Sequence, residues 1–166
     1  HGVFSYLGRN IRRSVSIPVM MGNRMNARTA EELVERGDVD FAVFGRPLLA
    51  DPELPRKASE GRVEDIRPCV GCNQGCLDHS MSGKSIECLC NAECGRESLL
   101  RDENGLLPTE KKTDHPKKIL VIGAGVAGME FSRVASLRGH RVVIWEEGPC
   151  CGGQLRLAAV PPARHD

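Results

Sequence analysis

The chain of 166 residues has few aromatics: four Phe, one Tyr and one Trp. It has no surplus of charge of one sign, with 23 Lys and Arg against 22 Asp and Glu. It has no apolar run approaching the roughly 20 residues that cross a bilayer, and no basic-then-apolar leader opens it. Balanced charge argues against a general nucleic-acid binder, and gives no reason to invoke an acidic or membrane-surface partner. A cytoplasmic setting is expected. The first residue is His1, not Met, which suggests a fragment or a processed chain.

What is present is unevenly placed. Phe4, Tyr6, Phe41 and Phe44 come early, Phe131 and Trp145 come late, and no aromatic lies from Gly45 to Glu130. Six of the eight cysteines fall inside that gap, from Cys69 to Cys94. A stretch poor in bulky apolar residues and dense in thiols has little with which to build a core. A metal site, or packing on neighbours, is needed to organise it. Disulfides are the weaker option, because nothing else looks extracellular.

Three parts follow from the patterning. In residues 1–67, Ser5 to Ser14 reads as the end of a helix, and Ile17-Pro-Val-Met-Met21 as a short buried strand. A helix is expected from Thr29, with Glu32 completing a capping box and Gly37 ending it. Asp40 to Gly45 reads as a second strand, and Arg46-Pro-Leu-Leu opens another helical stretch that Asp51-Pro52 breaks. The alternation predicts α/β architecture with parallel strands. Residues 68–116 have no clear period and end in a charged, proline-terminated linker. Residues 117–166 begin with a strand at Lys118 to Ile122. A helix follows from Val126 to Arg138, with Val126, Met129, Val134 and Leu137 expected to face inward, and then a strand at Arg141 to Trp145.

Gly123-Ala-Gly125-Val-Ala-Gly128 sits between that first strand and the helix, and Glu146 ends the next strand. Gly123 permits a tight turn, Gly125 lets a pyrophosphate approach the backbone, and Gly128 lets helix and strand pack closely. The helix N-terminus offers free N–H groups to the phosphates, and Glu146 can accept from ribose hydroxyls. The glycine pattern alone does not choose between FAD and NAD.

Cys69-x-x-Cys72-x-x-x-Cys76, with Cys88 after eleven intervening residues, is the second motif. Thiolates at such spacing converge on one centre and suit an iron–sulfur cluster or zinc. Zinc favours paired Cys-x-x-Cys knuckles. The later Cys88-x-Cys90-x-x-x-Cys94 has none, so a cubane cluster is preferred over zinc, and zinc over disulfides. Cys90 and Cys94 read as ordinary reduced thiols near the site, and Cys150 and Cys151 as plain loop or core thiols. A third signal is the pair of strand ends Gly22-Asn23-Arg24 and Gly45-Arg46-Pro47. They lie about one βαβ unit apart, as do the phosphate-binding loops after the last two strands of a (β/α)8 barrel. Ordinary turns with solvated arginines are an equal alternative for these two.

From Ile17 to Leu155 the chain resembles the NADH:flavin oxidoreductase family of fused old-yellow-enzyme type, whose members include 2,4-dienoyl-CoA reductase, 2-enoate reductase and trimethylamine dehydrogenase. The resemblance is carried by Asn23-Arg-Met-Asn26, Phe44-Gly-Arg-Pro-Leu-Leu-Ala-Asp-Pro52, Arg67-Pro-Cys-Val-Gly-Cys-Asn-Gln-Gly-Cys76 and Cys88 with Asn91 and Gly95-Arg-Glu97. The dinucleotide motif with Gly152-Gly-Gln154 adds to it. It implies the C-terminal end of an FMN-binding (β/α)8 TIM barrel, then an iron–sulfur segment, then the start of a Rossmann-like FAD-binding domain. Asn23, Arg24, Gly45 and Arg46 would hold the FMN phosphate. Cys69, Cys72, Cys76 and Cys88 would ligate a 4Fe–4S cluster. Gly123, Gly125, Gly128, Glu146 and Gln154 would hold FAD, or ADP in the amine-dehydrogenase branch.

In this family NAD(P)H is the electron donor, and electrons pass through FAD and the cluster to FMN, which reduces a C=C bond conjugated to a carbonyl. An amine dehydrogenase of the trimethylamine dehydrogenase type and a non-redox, zinc-stabilised nucleotide-binding module are the alternatives. Asn91-Ala92 departs from the family's usual Asn-Pro, and Cys90 is an added thiol, so the fourth ligand is open between Cys88 and Cys90. The small-molecule enone or enoyl substrate and the catalytic acid and base would be bound or supplied by barrel residues outside this chain. No nucleic-acid or membrane partner is expected, and an oligomeric full-length form is left open. The chain alone is expected to be an inactive and poorly soluble fragment.

Overall fold

The structure is a computed structural model that describes residues 2–107 and 109–160. The last six residues of the expected third part lie outside the described residues. The chain divides into two compact units, His1–Arg96 and Glu97–Asp166.

In the first unit, helix α1 (Ser5–Ser14) precedes strand β1 (Met20–Met21), helix α2 (Ala27–Glu35) and strand β2 (Phe41–Ala42). The strands pair in parallel, Met20 with Phe41 and Met21 with Ala42, as the alternation predicts. Both are shorter than the sequence suggests, and Ile17 and Met20 are exposed rather than buried. The cause is local. Pro18 has no N–H to give, and the Asp40 carboxylate takes the Val19 N–H at 2.7 Å, a donor the ladder would otherwise use. Val19, Met25, Ala30, Leu33 and Val39 form the core, with Met21, Ala42 and Phe44 against it. Helix α1 approaches closely at Gly8, where a Cβ would lie 2.8 Å from Met21 Sδ and from Val39 Cγ1. Two ion pairs reinforce this contact: Arg9 grips Asp38 through both carboxylate oxygens, and Arg12 reaches Asp40.

Helix α2 starts two residues before the expected Thr29. Asn26 is its cap, and its side chain accepts the Thr29 N–H at 2.8 Å. Asn caps a helix as well as Ser or Thr does, and here it satisfies the donor three residues on. Gly37 ends the helix as predicted, at φ +68°. The Asp38 N–H bonds Leu33 O and the Gly37 N–H bonds Val34 O, the pair of bonds that closes a Schellman turn.

Beyond β2 come α3 (Arg46–Ala50), α4 (Leu54–Ser59), a 3-10 turn at Val63–Asp65 and α5 (Leu77–Met81). Asp51 does more than break α3. Its buried carboxylate accepts from Glu53 N (3.0 Å), Lys57 Nζ (2.6 Å) and Arg67 N (2.9 Å). Arg67 also donates to Ala50 O at 3.2 Å. One side chain thus joins the end of α3, the start of α4 and the residue that leads into the first cysteine.

In the second unit, α6 (Glu97–Leu100) is followed by β3 (Lys118–Ile122), α7 (Val126–Leu137), β4 (Arg141–Trp145) and α8 (Leu155–Ala158). Strands β3 and β4 pair in parallel over five residues, from Lys118–Arg141 to Ile122–Trp145. Their side chains alternate. Ile119, Val121, Val142 and Ile144 are half-buried, whereas Leu120, Ile122, Val143 and Trp145 are exposed. Helix α7 does not turn the expected residues inward. Ser132 and Ala135 are its buried positions, Met129 and Val134 are half-buried, and Val126 and Leu137 are exposed. Backbone proximity explains the difference. A Cβ at Gly128 would lie 2.0 Å from Gly123 O and 3.3 Å from Val121 Cγ1, so only small residues fit the seam.

Burial alone would raise the pKa of Asp51. Lys57 and the backbone N–H groups of Arg67 and Glu53 outweigh it and hold the carboxyl below its ordinary value. Such a group stabilises the fold fully above its unfolded pKa near 4, and the contribution fades as pH falls through the lower folded value. Asp51→Asn is expected to cost about 2 kcal/mol at neutral pH and to flatten the acid limb of stability. Denaturant unfolding from pH 7 down to about pH 3 checks both, and an unchanged acid limb would count against the anchor.

Candidate cluster cavity and dinucleotide turn

Cys69, Cys72, Cys76, Cys88 and Cys90 line one cavity of the first unit, together with Arg46, Asn73 and Gly75 among others. All eight cysteines are free thiols. The loop that carries the first three bends through two left-handed residues, Gly71 (φ +68°) and Asn73 (φ +65°). Asn is one of the few residues other than Gly that tolerates this region. At Gly75 the loop meets the second cysteine segment backbone to backbone. Glu87 N donates to Gly75 O at 2.7 Å, and a Cβ at Gly75 would lie 2.7 Å from Glu87 O.

The second segment is a closed turn. Asn91 N donates to Cys88 O at 3.2 Å, and a Cβ at Gly95 would lie 2.0 Å from Ile86 O. The buried Asn91 side chain donates to Leu49 O at 3.0 Å, which ties the turn to α3, and accepts from Glu93 N. Cys94 is buried and is not among the residues that line the cavity. The two thiols read alike from sequence therefore occupy different places. Cys90 stands on the cavity wall. Burial raises the pKa of its thiol, and neighbouring Cys88, Cys72 and Cys69 raise it further, against a lowering by the Val70 N–H.

Five soft sulfur donors lining one cavity suit a group with several metal corners. Among the described residues no three His, Cys, Asp or Glu side chains are arranged to hold a metal ion, so the fit rests on the number and softness of the thiols.

Two strand-end arginines lie at or near the cysteine loop. Arg46 lines the cavity and donates to Asn73 Oδ1, and the Arg24 guanidinium lies 3.5 Å from the Cβ position of Gly71. Asn23 (φ 105°) and Arg24 (φ 41°) are held in the left-handed region, a conformation found most often where function requires it. Gly45 caps the short helix α3 that Arg46 begins. From sequence, Asp51 reads only as a helix break, and Asn73 and Asn91 only as members of motifs, with no partner assigned to any of the three. An Asn within a tight cysteine loop is the one signal that could have flagged Asn73.

In the second unit, fully buried Ala124 is the centre of the dinucleotide turn. Its N–H donates to Glu146 Oε2 at 2.6 Å, and its carbonyl accepts the Gly152 N–H at 2.8 Å. Glu146 also accepts from Gly148 N at 3.1 Å. The Ala124 N–H first, then the Gly148 N–H, hold its carboxyl below the ordinary value despite some burial. Gly153 is stacked on the turn, where its Cβ position lies 3.2 Å from Gly125 Cα, and Gln154 caps α8. The turn thus brings Gly123, Gly125, Gly128 and Glu146 together with the Gly152–Gln154 loop. The Glu146 carboxylate, whose oxygens keep further lone pairs beside their backbone donors, and the N-terminus of the twelve-residue α7 suit a ribose and a pyrophosphate.

A family model described as an NAD(P)-binding Rossmann-like domain matches residues 121–166. The chain is 55% identical over 99% of its length to a metal reductase of Desulforamulus reducens, and covers 24% of that protein. It superposes on a solved 2-naphthoyl-CoA reductase with a TM-score of 0.89 and 35% identity, covering 99% of this chain and 24% of that one. For histamine dehydrogenase from Rhizobium sp. 4-9 the TM-score is 0.86 and the identity 34%, covering 99% and 23%. The chain thus spans about a quarter of the length of the relatives it matches. Among the described residues no helix is long and apolar enough to cross a membrane. These likenesses, each over nearly the whole of this chain, bear out the resemblance to the NADH:flavin oxidoreductase family of fused old-yellow-enzyme type.

Proposed function

We propose that this chain is the electron-relay segment of a flavin and iron–sulfur oxidoreductase of the ene-reductase kind. Cys69, Cys72, Cys76 and Cys88 hold a 4Fe–4S cluster, and Asn23, Arg24, Gly45 and Arg46, at the end of a TIM barrel, hold the phosphate of FMN. Gly123, Gly125, Gly128, Glu146 and Gln154 hold FAD or ADP. When bound, these groups carry electrons from NAD(P)H through FAD and the cluster to FMN, for reduction of a C=C bond conjugated to a carbonyl in a small enoate or enoyl thioester.

The observation that carries the reading is the convergence of the cysteines on one cavity that Arg46 also lines. The chain's own work there is positioning. Gly75 and Asn91 hold the two cysteine segments face to face, and Asn73 orients Arg46. In the second unit, Ala124 holds Glu146 ionised and aimed along the turn. Free thiols throughout suit a reducing, cytoplasmic compartment. A second reading, amine dehydrogenation, is supported by the likeness to histamine dehydrogenase, which extends over the same 99% of the chain.

The test uses the whole protein as its gene encodes it, purified without oxygen. About four iron and four sulfide per chain are expected, with broad absorption near 400 nm, and Cys69→Ser is expected to remove both. Colourless protein with stoichiometric zinc would overturn the reading. Consumption of NAD(P)H with an enoate or enoyl thioester, set against amine-dependent reduction of an artificial acceptor, separates the two reactions. Glu146→Ala is expected to weaken dinucleotide retention about tenfold or more, read as FAD or ADP released on gel filtration, while iron content stays unchanged.

A further inference from the structure

The cavity offers five thiols to a group that takes four. Cys69, Cys72 and Cys76 come from one tight loop, and the remaining two, Cys88 and Cys90, stand two residues apart on the facing turn. We infer that Cys90 is a reserve ligand, able to take the fourth corner of the cluster when Cys88 cannot. The inference rests on the cluster reading above and adds to it a residue outside the expected set of four.

Three features of the turn support it. First, both thiols line the same cavity, whereas Cys94, the other cysteine of the segment, is buried and does not line it. Second, the turn is pinned without help from the Cys88 side chain. Glu87 N bonds Gly75 O at 2.7 Å, Asn91 N bonds Cys88 O at 3.2 Å, and Asn91 Nδ2 bonds Leu49 O at 3.0 Å. Every one of these bonds survives replacement of the Cys88 thiol, so the backbone that carries Cys90 stays against the cavity. Third, the absence of a Cβ at Gly75 lets the turn lie in backbone contact with the loop of the first three cysteines, which keeps both of its lining thiols beside that loop. The chemistry is the same from either position, since a thiolate is the donor in both.

The test compares Cys88→Ser, Cys88→Ala, Cys90→Ser, the double variant Cys88→Ser with Cys90→Ser, and Cys69→Ser, all in the whole protein prepared anaerobically. Iron, acid-labile sulfide and the electron paramagnetic resonance of the dithionite-reduced protein are measured. Both Cys88 variants are expected to keep the iron and sulfide of the parent, with shifted g-values that report a changed ligand. Cys90→Ser is expected to match the parent in content and g-values. The double variant is expected to lose the cluster as completely as Cys69→Ser does.

Flavin content and far-ultraviolet circular dichroism show whether each variant has folded, and the two Cys88 substitutions guard against a fault peculiar to one. The inference is overturned if both folded Cys88 variants lose their cluster as Cys69→Ser does, or if the double variant keeps it. It is also overturned if Cys90→Ser alone loses it, since Cys90 would then be a constant ligand. A parent protein without iron sinks the cluster reading itself, an outcome distinct from the others.

Discussion

The cysteine segment has almost no hydrophobic means of staying folded, and its dependence on hydrogen bonds from the neighbouring βα framework is the constraint from which the rest of the first unit follows. Among its described residues, Cys94 is the one buried apolar side chain. The unit's main buried cluster, Leu33 and its neighbours, lies within residues 19–44, with Ala50 and Leu54 buried beyond it. What holds the thiols in place is polar: Asp51 on the Arg67 N–H before the first cysteine, and Asn91 on the Leu49 carbonyl after the fourth. Both contacts end on or next to α3, the five-residue helix that begins with Arg46. The helix that presents Arg46, to which phosphate binding is proposed, is therefore also the post to which the cysteine loop is tied. Buried polar contacts of this kind fix geometry more firmly than they add stability, because an unmet partner costs more than a made bond returns.

The second unit solves a different problem with similar means. A tight turn that leaves room for a ligand must still satisfy its own peptide groups. Ala124, with no side chain to place, uses its N–H on Glu146 and its carbonyl on Gly152. Glu146 thereby becomes part of the turn's framework before any ligand arrives. Its pKa is held down by backbone donors rather than by a cation, so the carboxylate stays ionised and available to accept from hydroxyl groups. The glycines around it serve contact as much as flexibility. Gly128 touches the Gly123 carbonyl and Gly153 touches Gly125, so a methyl group at either position would push the turn open.

Much of this was legible in the sequence where a pattern reports on backbone geometry. The glycine spacing, the strand–helix–strand order, the closure of α2 at Gly37 and the grouping of four cysteines all reflect requirements that few residues can meet. The failures came where side chains compete with a pattern. Thr29 looked like a cap, but Asn26 was three residues closer to the turn and equally able. Asp40 took a strand donor and shortened β1. Helix α7 misled because apolar spacing was read as facing inward, while the seam admits only Gly128, Ser132 and Ala135. The roles of Asp51, Asn73 and Asn91 could not be read, since their partners lie between 2 and 42 residues away.

The aromatic-free gap gains a physical meaning from this arrangement. A cavity lined by five cysteines, with two backbone segments in contact at Gly75, leaves little room for a ring. Bulky apolar side chains would fill the space that the thiols need to turn in, and their burial would favour collapse over an open cavity. Small residues, glycines in left-handed turns and polar anchors at the edges keep the cavity open. The cost is that the segment has little stability of its own, as in other small folds where bound metal supplies what a core cannot. Within the cysteine loop, the scarcity of aromatics and the density of thiols both fit the proposed requirement for a loop that surrounds a ligand instead of packing on itself.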